Sequence, residues 1–209
     1  MVKKSVQRSE GKKLPLVEDF FSIQGEGFHT GKAAYFIRLG GCDIGCSWCD
    51  SPFAWDSEIH PMIDADDIAE RIINSGTDSV VITGGEPLMW NLDYLCSLLE
   101  KNKISTYLET SGAYPLTGKW NWICLSPKKN MKPVPEICKF ADELKVIIQE
   151  KSDFEWAEEY RSQVNEKCRL FLQPEWSSFE KIIPEIVDYV KKNSVWRISL
   201  QVHKYMHIL

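Results

Sequence analysis

The chain is expected to fold as an α/β protein, an incomplete, splayed parallel β/α barrel of about six strands. Three observations carry this. Apolar or β-branched runs of strand length alternate with stretches of helical spacing, the pattern of βαβ units around a parallel sheet. About six or seven such runs can be counted, with fewer well-marked helices, short of the eight units of a closed barrel. Nearly every run ends in glycine or polar residues, which gathers those ends around one mouth, where α/β proteins carry their chemistry.

Residues 1–13 are polar and Lys-rich and read as a flexible extension, with 14–209 as a single domain. Val17–Ile23 leads into Gln24-Gly25-Glu26-Gly27, which is either a plain turn or a loop whose amide and carboxylate meet a small polar ligand. Ala33–Leu39 is a buried strand carrying one cation, Arg38, which wants an acidic partner or an anionic ligand. A helix follows from Asp64, with Ile68, Ile72 and Ile73 in helical register, acids in its first turn and Asn74-Ser75-Gly76 at its end. Ser79–Thr83 is a β-branched strand stopping at Gly84-Gly85-Glu86-Pro87. Two glycines there let a ligand approach the backbone, and Pro87 suits a first helical turn. Leu92, Leu95, Leu98 and Leu99 mark the next helix and make Cys96 a core or half-buried residue.

Ser105–Gly112 and Asn121–Lys128 repeat the pattern of strand and polar end. Glu143–Ile148 is a strand, Ser152–Gln163 a helix, and Cys168–Trp176 a further strand with a polar end. Phe179, Ile182, Ile183, Ile186, Val187 and Val190 form an i, i+3, i+4, i+7 stripe. Val195–Val202 reads as the last strand and 203–209 as a tail.

The chemistry centres on Cys42, Cys46 and Cys49, spaced C-x3-C-x2-C on the loop after the strand ending at Leu39. Three thiolates on one loop can converge on a soft centre. Bound to a [4Fe–4S] cluster they would leave one iron open, and an open position is a reactive one. A structural zinc site completed by Asp50, His29 or a distant cysteine is the alternative, although Cys96, Cys124, Cys138 and Cys168 make no second pair.

Composition narrows the class. With 44% hydrophobic and 26% charged residues the chain is globular. No run of eighteen apolar residues is present to span a bilayer, and Met1–Ser5 lacks a secretory core. Seven cysteines, an odd number, suit a reducing cytoplasm over a disulfide scaffold. A net charge of −5 without a basic stripe argues against nucleic acid as a partner.

The cysteine loop followed by Thr83-Gly84-Gly85-Glu86-Pro87 resembles the radical S-adenosylmethionine (SAM) superfamily. From Phe21–Gly27 to Gln201–Tyr205 the chain further resembles one family within it, the 7-carboxy-7-deazaguanine synthases. That resemblance implies a splayed barrel of radical SAM type with Cys42, Cys46 and Cys49 holding a [4Fe–4S] cluster whose open iron is chelated by SAM. It implies SAM contacts at Trp48, Cys49, Asp50 and Gly85, at Ser126, Pro127 and Lys128, and at Gln173, Pro174, Glu175 and Trp176. Ile23, Gln24, Gly25, Arg38 and Thr83 would hold the pterin substrate, with the Arg38 fork on its carboxylate. Ser51 stands where the family usually has Thr and would ligate Mg2+ through its hydroxyl. The terminal carboxylate, here that of Leu209 where the family often has Pro, would reach the substrate.

The implied reaction is reductive cleavage of SAM to a 5′-deoxyadenosyl radical. That radical converts 6-carboxy-5,6,7,8-tetrahydropterin to 7-carboxy-7-deazaguanine with loss of ammonia, in queuosine or another 7-deazapurine pathway. A one-electron donor such as flavodoxin or ferredoxin and a homodimer come with the resemblance. Two other readings stay open: an activase that makes a glycyl radical in a partner protein, and a non-enzymatic Zn or Fe–S module. His29 and His60 read as loop residues, Cys124, Cys138 and Cys168 as core thiols, Lys191-Lys192 as a solvated helix end, and His203 and His207 as tail residues that could touch substrate.

Overall fold

The computed structural model describes residues 10–208; Leu209 lies outside the described residues. The sheet has nine strands: β1 (Lys13–Ile23), β2 (Ala33–Leu39), β3 (Met62–Asp64), β4 (Ser79–Gly84), β5 (Ser105–Thr110), β6 (Trp122–Leu125), β7 (Glu143–Ile148), β8 (Arg169–Pro174) and β9 (Trp196–Ile198). Their order is β3-β1-β2-β4-β5-β6-β7-β8-β9. From β2 to β9 every pair is parallel, so the parallel portion has seven strands; β1 and β3 are added antiparallel at one edge. The sheet does not close on itself, as a splayed barrel requires.

Helices α1 (Ala65–Asn74), α2 (Asp93–Lys101), α3 (Asp153–Arg161) and α4 (Phe179–Lys192) cross between parallel strands. Each turns an apolar stripe to the sheet. Ile68 and Ile72 of α1, Leu95 and Leu99 of α2, and Ile182 and Ile186 of α4 are buried with Ile37, Ile82, Leu108, Leu144 and Leu172 of the strands. Asp66 and Asp67 sit in the first turn of α1 and Lys191 and Lys192 in the last turn of α4, where the helix dipole favours them.

Three expectations are corrected. Lys13, placed in a flexible extension, starts β1; Lys13–Pro15 pairs with Met62–Asp64, and the Lys13 ammonium meets Asp64 at 3.0 Å. The strand expected over Val195–Val202 is only Trp196–Ile198, followed by a short helix α5 (Val202–Met206) where a tail was expected. The chain leaves the sheet because Ser199 and Gln201 have polar partners inside the barrel. Ser199 Oγ donates to Gln173 at 2.7 Å and accepts from Gly27 N at 2.9 Å.

Those same bonds tie the far edge of the sheet back to the first hairpin. Val202 N donates to the Gly25 carbonyl at 2.8 Å, and Gln201 Nε2 to Glu26 at 2.9 Å. Segments 24–27 and 199–203 thus complete the wall that the strands leave open. Gly25 is required at this seam: a Cβ there would strike the ring and backbone of His203.

Candidate active site

A cavity of about 500 Å3 occupies the barrel. The strand ends and the loops after β2 and β4 deliver Cys42, Cys46, Cys49, Asp50, Ser51, Thr83 and Gly85 to it. Ile23, Gln24, Gly25, Arg38, Trp48, Ser126, Lys128, Gln173, Pro174, Glu175 and Trp176, all singled out in the sequence, also line it. Pro127 does not; it is buried between two lining residues.

The cysteine loop is pinned from several sides. Gly41 N and Cys42 N donate to the carbonyls of Ala54 and Trp55, and Cys49 N donates to the Cys46 carbonyl at 3.2 Å. Trp55 Nε1 reaches Cys49 Sγ at 3.3 Å, and Asn130 caps the Ile44 and Gly45 carbonyls. The three thiols are free and half-buried, and burial pushes the Cys42 thiol up to about 11 and raises that of Cys46. Among the described residues no three His, Cys, Asp or Glu side chains gather as for a single metal ion. A [4Fe–4S] cluster distributes its thiolates over separate irons, and three free cysteines around one cavity wall supply that donor set. Beside them Gly85 backs onto the Gly41 carbonyl and the Cys42 side chain so tightly that a Cβ would collide with both. The residues fit a cluster held by Cys42, Cys46 and Cys49 with SAM against the glycine strand end.

Glu86 anchors that strand end. Its buried carboxylate accepts from Leu88 N at 3.0 Å, Thr110 Oγ1 at 2.6 Å, and Ser111 N at 2.8 Å and Oγ. It therefore locks the end of β4 to the end of β5. Lys128 donates to the carbonyl and hydroxyl of Ser126 and lies 5.5 Å from the Trp48 ring; burial holds its ammonium below the usual lysine range.

Arg38 has found the acidic partner its position demanded. Its Nε donates to Glu18 at 2.7 Å, and its guanidinium stands 5.8 Å from the Phe53 ring. With Nε engaged, the outer nitrogens of the fork remain the ones offered to a ligand carboxylate.

Sequence reasoning missed a buried polar cluster on another part of the wall. Lys145 donates to Glu26 at 2.6 Å and Glu109 at 2.9 Å. Burial alone would raise the Glu26 carboxyl, but Lys145, Gln201 and Gln173 hold it at about 2. Burial would lower Lys145; Cys124, Glu109, Glu26 and Glu143 outweigh it and hold it well above the usual range. Glu143 accepts from Phe28 N and Trp122 Nε1 through Oε2 while Oε1 is buried without a partner, and burial pushes it up to about 7. The signal for Lys145 was present, since it is a lone cation in an apolar strand, as Arg38 is. His203, read as a tail residue, also lines the cavity. Cys96, Cys124, Cys138 and Cys168 are core thiols, as read.

A parallel, unclosed barrel with three free cysteines on the loop after β2, its first parallel strand, and a glycine-glycine-acid end on the next parallel strand defines a radical SAM enzyme, and the radical SAM superfamily model matches residues 36–122. Full-length relatives narrow this. The chain is 51% identical to the 7-carboxy-7-deazaguanine synthase of Flavobacterium psychrophilum, with all of both chains covered. It is 45% identical to that of Synechocystis, covering 93% of each chain. The crystal structure of QueE from Escherichia coli matches with a TM-score of 0.84 at 30% identity, covering 97% of this chain and 100% of that one. The chain belongs to the 7-carboxy-7-deazaguanine synthase family, radical SAM enzymes of 7-deazapurine biosynthesis that work with a [4Fe–4S] cluster, SAM and a reductant.

Proposed function

We propose that the chain converts 6-carboxy-5,6,7,8-tetrahydropterin to 7-carboxy-7-deazaguanine with release of ammonia. The observation that carries this reading is a single cavity joining the cysteine loop to both an arginine and a pair of carboxylates. A carboxylated, amine-rich bicycle needs those two kinds of partner at once. Bound together, the cluster and SAM supply the hydrogen-atom abstraction that starts the ring contraction.

The chain's own residues have separable tasks. Cys42, Cys46 and Cys49 are the cluster ligands. Trp48, Asp50, Gly85, Ser126, Lys128 and the β8 end from Gln173 to Trp176 are the SAM contacts. Arg38 takes the substrate carboxylate, while Ile23, Gln24, Gly25 and Thr83 border the ring. Glu26 and Glu109 present acceptors to its N–H groups. Phe20 and Phe36, stacked at 5.4 Å, keep water from that side of the cavity. Ser51 is the Mg2+ ligand in this reading: it lines the cavity next to Asp50, and its side chain makes no helix-capping bond. A flavodoxin or ferredoxin as electron donor, a cytoplasmic location and a homodimer complete the proposal.

The test is an anaerobic turnover with reconstituted protein, SAM, dithionite, Mg2+ and the pterin, read by mass spectrometry. Formation of 7-carboxy-7-deazaguanine, lost when Mg2+ is chelated, supports the reading. If 5′-deoxyadenosine forms without the deazaguanine, the substrate is wrong and a glycyl-radical activase becomes the better reading.

A further inference from the structure

Lys145 sits on β7, is 4% exposed, and lines the cavity together with both of its partners. Glu26 comes from the β1–β2 connection and Glu109 from the end of β5, elements otherwise unconnected at this point. Glu26 has a second grip, Gln201 Nε2 at 2.9 Å.

We propose that Lys145 is the positioning residue for substrate recognition: its ammonium holds Glu26 and Glu109 as one oriented, charged pair facing the cavity. The proposal rests on the pterin reading above and adds to it what makes the two acids usable. Two carboxylates that share a buried site cannot both stay ionised without a cation between them. With Lys145 in place both are acceptors only, which suits the N–H donors of an aminopyrimidinone edge.

The surrounding charges support this use of the lysine. Glu143 on the same strand and Cys124 on β6 face it, and Lys128 and His203 are the other titratable groups nearby. One ammonium among three carboxylates leaves the cluster short of donors. The uncharged aminopyrimidinone edge of the pterin, rich in N–H groups, fills that shortage without bringing a second charge to this wall, its carboxylate going to Arg38.

The test uses the reconstituted holoenzyme and isothermal titration of 6-carboxytetrahydropterin with SAM bound and no reductant. Lys145→Met keeps the length of the side chain and removes the charge; its Kd for the pterin should rise about 100-fold or more, the size of effect seen when one partner of a buried pair is removed. Lys145→Ala opens a space at the cavity wall and is titrated with added propylammonium or, separately, with 1-butanol. Recovery with the ammonium alone supports positioning by charge. Equal recovery with butanol, or wild-type affinity in Lys145→Met, overturns the proposal. If Lys145→Met does not fold, the alanine variant with propylammonium decides by the same comparison. Wild-type enzyme that binds no pterin overturns the substrate reading, and this proposal with it.

Discussion

Gln201 Nε2 lies 2.9 Å from Glu26 Oε1, and the same nitrogen is 3.2 Å from Asp50 Oδ2. One amide thereby links the acidic pair, through Glu26, to the residue that follows Cys49. Its own Oε1 accepts from Lys204 at 2.9 Å, and Lys204 lies 4.5 Å from the Trp176 ring. The segment after β9 thus spans from the hairpin connection to the cysteine loop and the end of β8.

Gln201→Leu keeps the bulk and removes both donated bonds. Hydrogen bonds to charged groups contribute roughly 1.5–3 kcal/mol, so kcat/KM for the pterin should fall about 10- to 100-fold. Asp50 loses a partner next to the cluster loop, so SAM cleavage should also become less productive. The measurement is the ratio of 5′-deoxyadenosine to deazaguanine in single turnovers. An unchanged ratio together with unchanged kcat/KM would show that the bridge is incidental.

Cys46→Ala should abolish the brown colour of anaerobically reconstituted protein, along with 5′-deoxyadenosine formation. Its side chain is half-buried on a loop, and the bond the loop needs from this residue is donated to its carbonyl. The metal-free variant should therefore unfold within about 1 kcal/mol of the metal-free wild type. Iron content and a urea titration check the two halves. A variant that keeps its iron would remove Cys46 from the ligand set.

The parallel sheet and the cysteine loop were legible in the sequence because each has a local signature: strand-length apolar runs ending in glycine, and three thiols within eight positions. Strand β3 was not, since three residues pairing with 13–15 carry no periodicity of their own. The acidic cluster was legible only in fragments. Glu109 stood at a strand end and Lys145 in an apolar run, but nothing local says that β5, β7 and the hairpin connection converge on one ammonium. The end of β9 was misread for a similar reason. Leu200 and Val202 continue an alternating pattern, while the bonds that draw the chain away go to Gln173 and Glu26, far off in sequence.

Glu86→Gln tests the lock between β4 and β5. The carboxylate accepts four bonds, two on each oxygen. A glutamine presents an NH2 group to one pair of those donors and leaves them unpaired in a buried place. The cost should be about 2–4 kcal/mol, or a melting point lowered by roughly 4–15 °C for a chain of this length. Glu86→Asp, with the charge retained and the reach shortened, should recover part of it. Calorimetry of the two variants checks the order. A Gln variant as stable as wild type would mean that the four donors find other acceptors.

Glu143 gives the protein a pH dependence that a single substitution should erase. Burial pushes its carboxyl from 4.5 to about 7, opposed by Lys145 and reinforced by Glu109. A carboxyl whose folded pKa lies above its unfolded one binds more protons in the folded state. Its stabilising contribution is therefore complete below about pH 4.5 and is lost as pH rises through about 7. Glu26, held at about 2, contributes nothing variable in that window, since its own contribution is lost only as pH falls from about 4.5 toward 2. His29 and His203, both lowered by burial, act in the opposite sense, so the comparison must be between variants at each pH. Glu143→Gln is shaped like the protonated acid: its oxygen can keep accepting from Phe28 N and Trp122 Nε1, and its NH2 replaces the unpartnered oxygen beside Gly27. Relative to this variant, wild-type stability should decline between about pH 5 and pH 8, leaving the glutamine form equal or more stable at the upper end. Urea unfolding at a series of pH values measures the difference. A gap that stays constant across the window would place the proton elsewhere in the cluster.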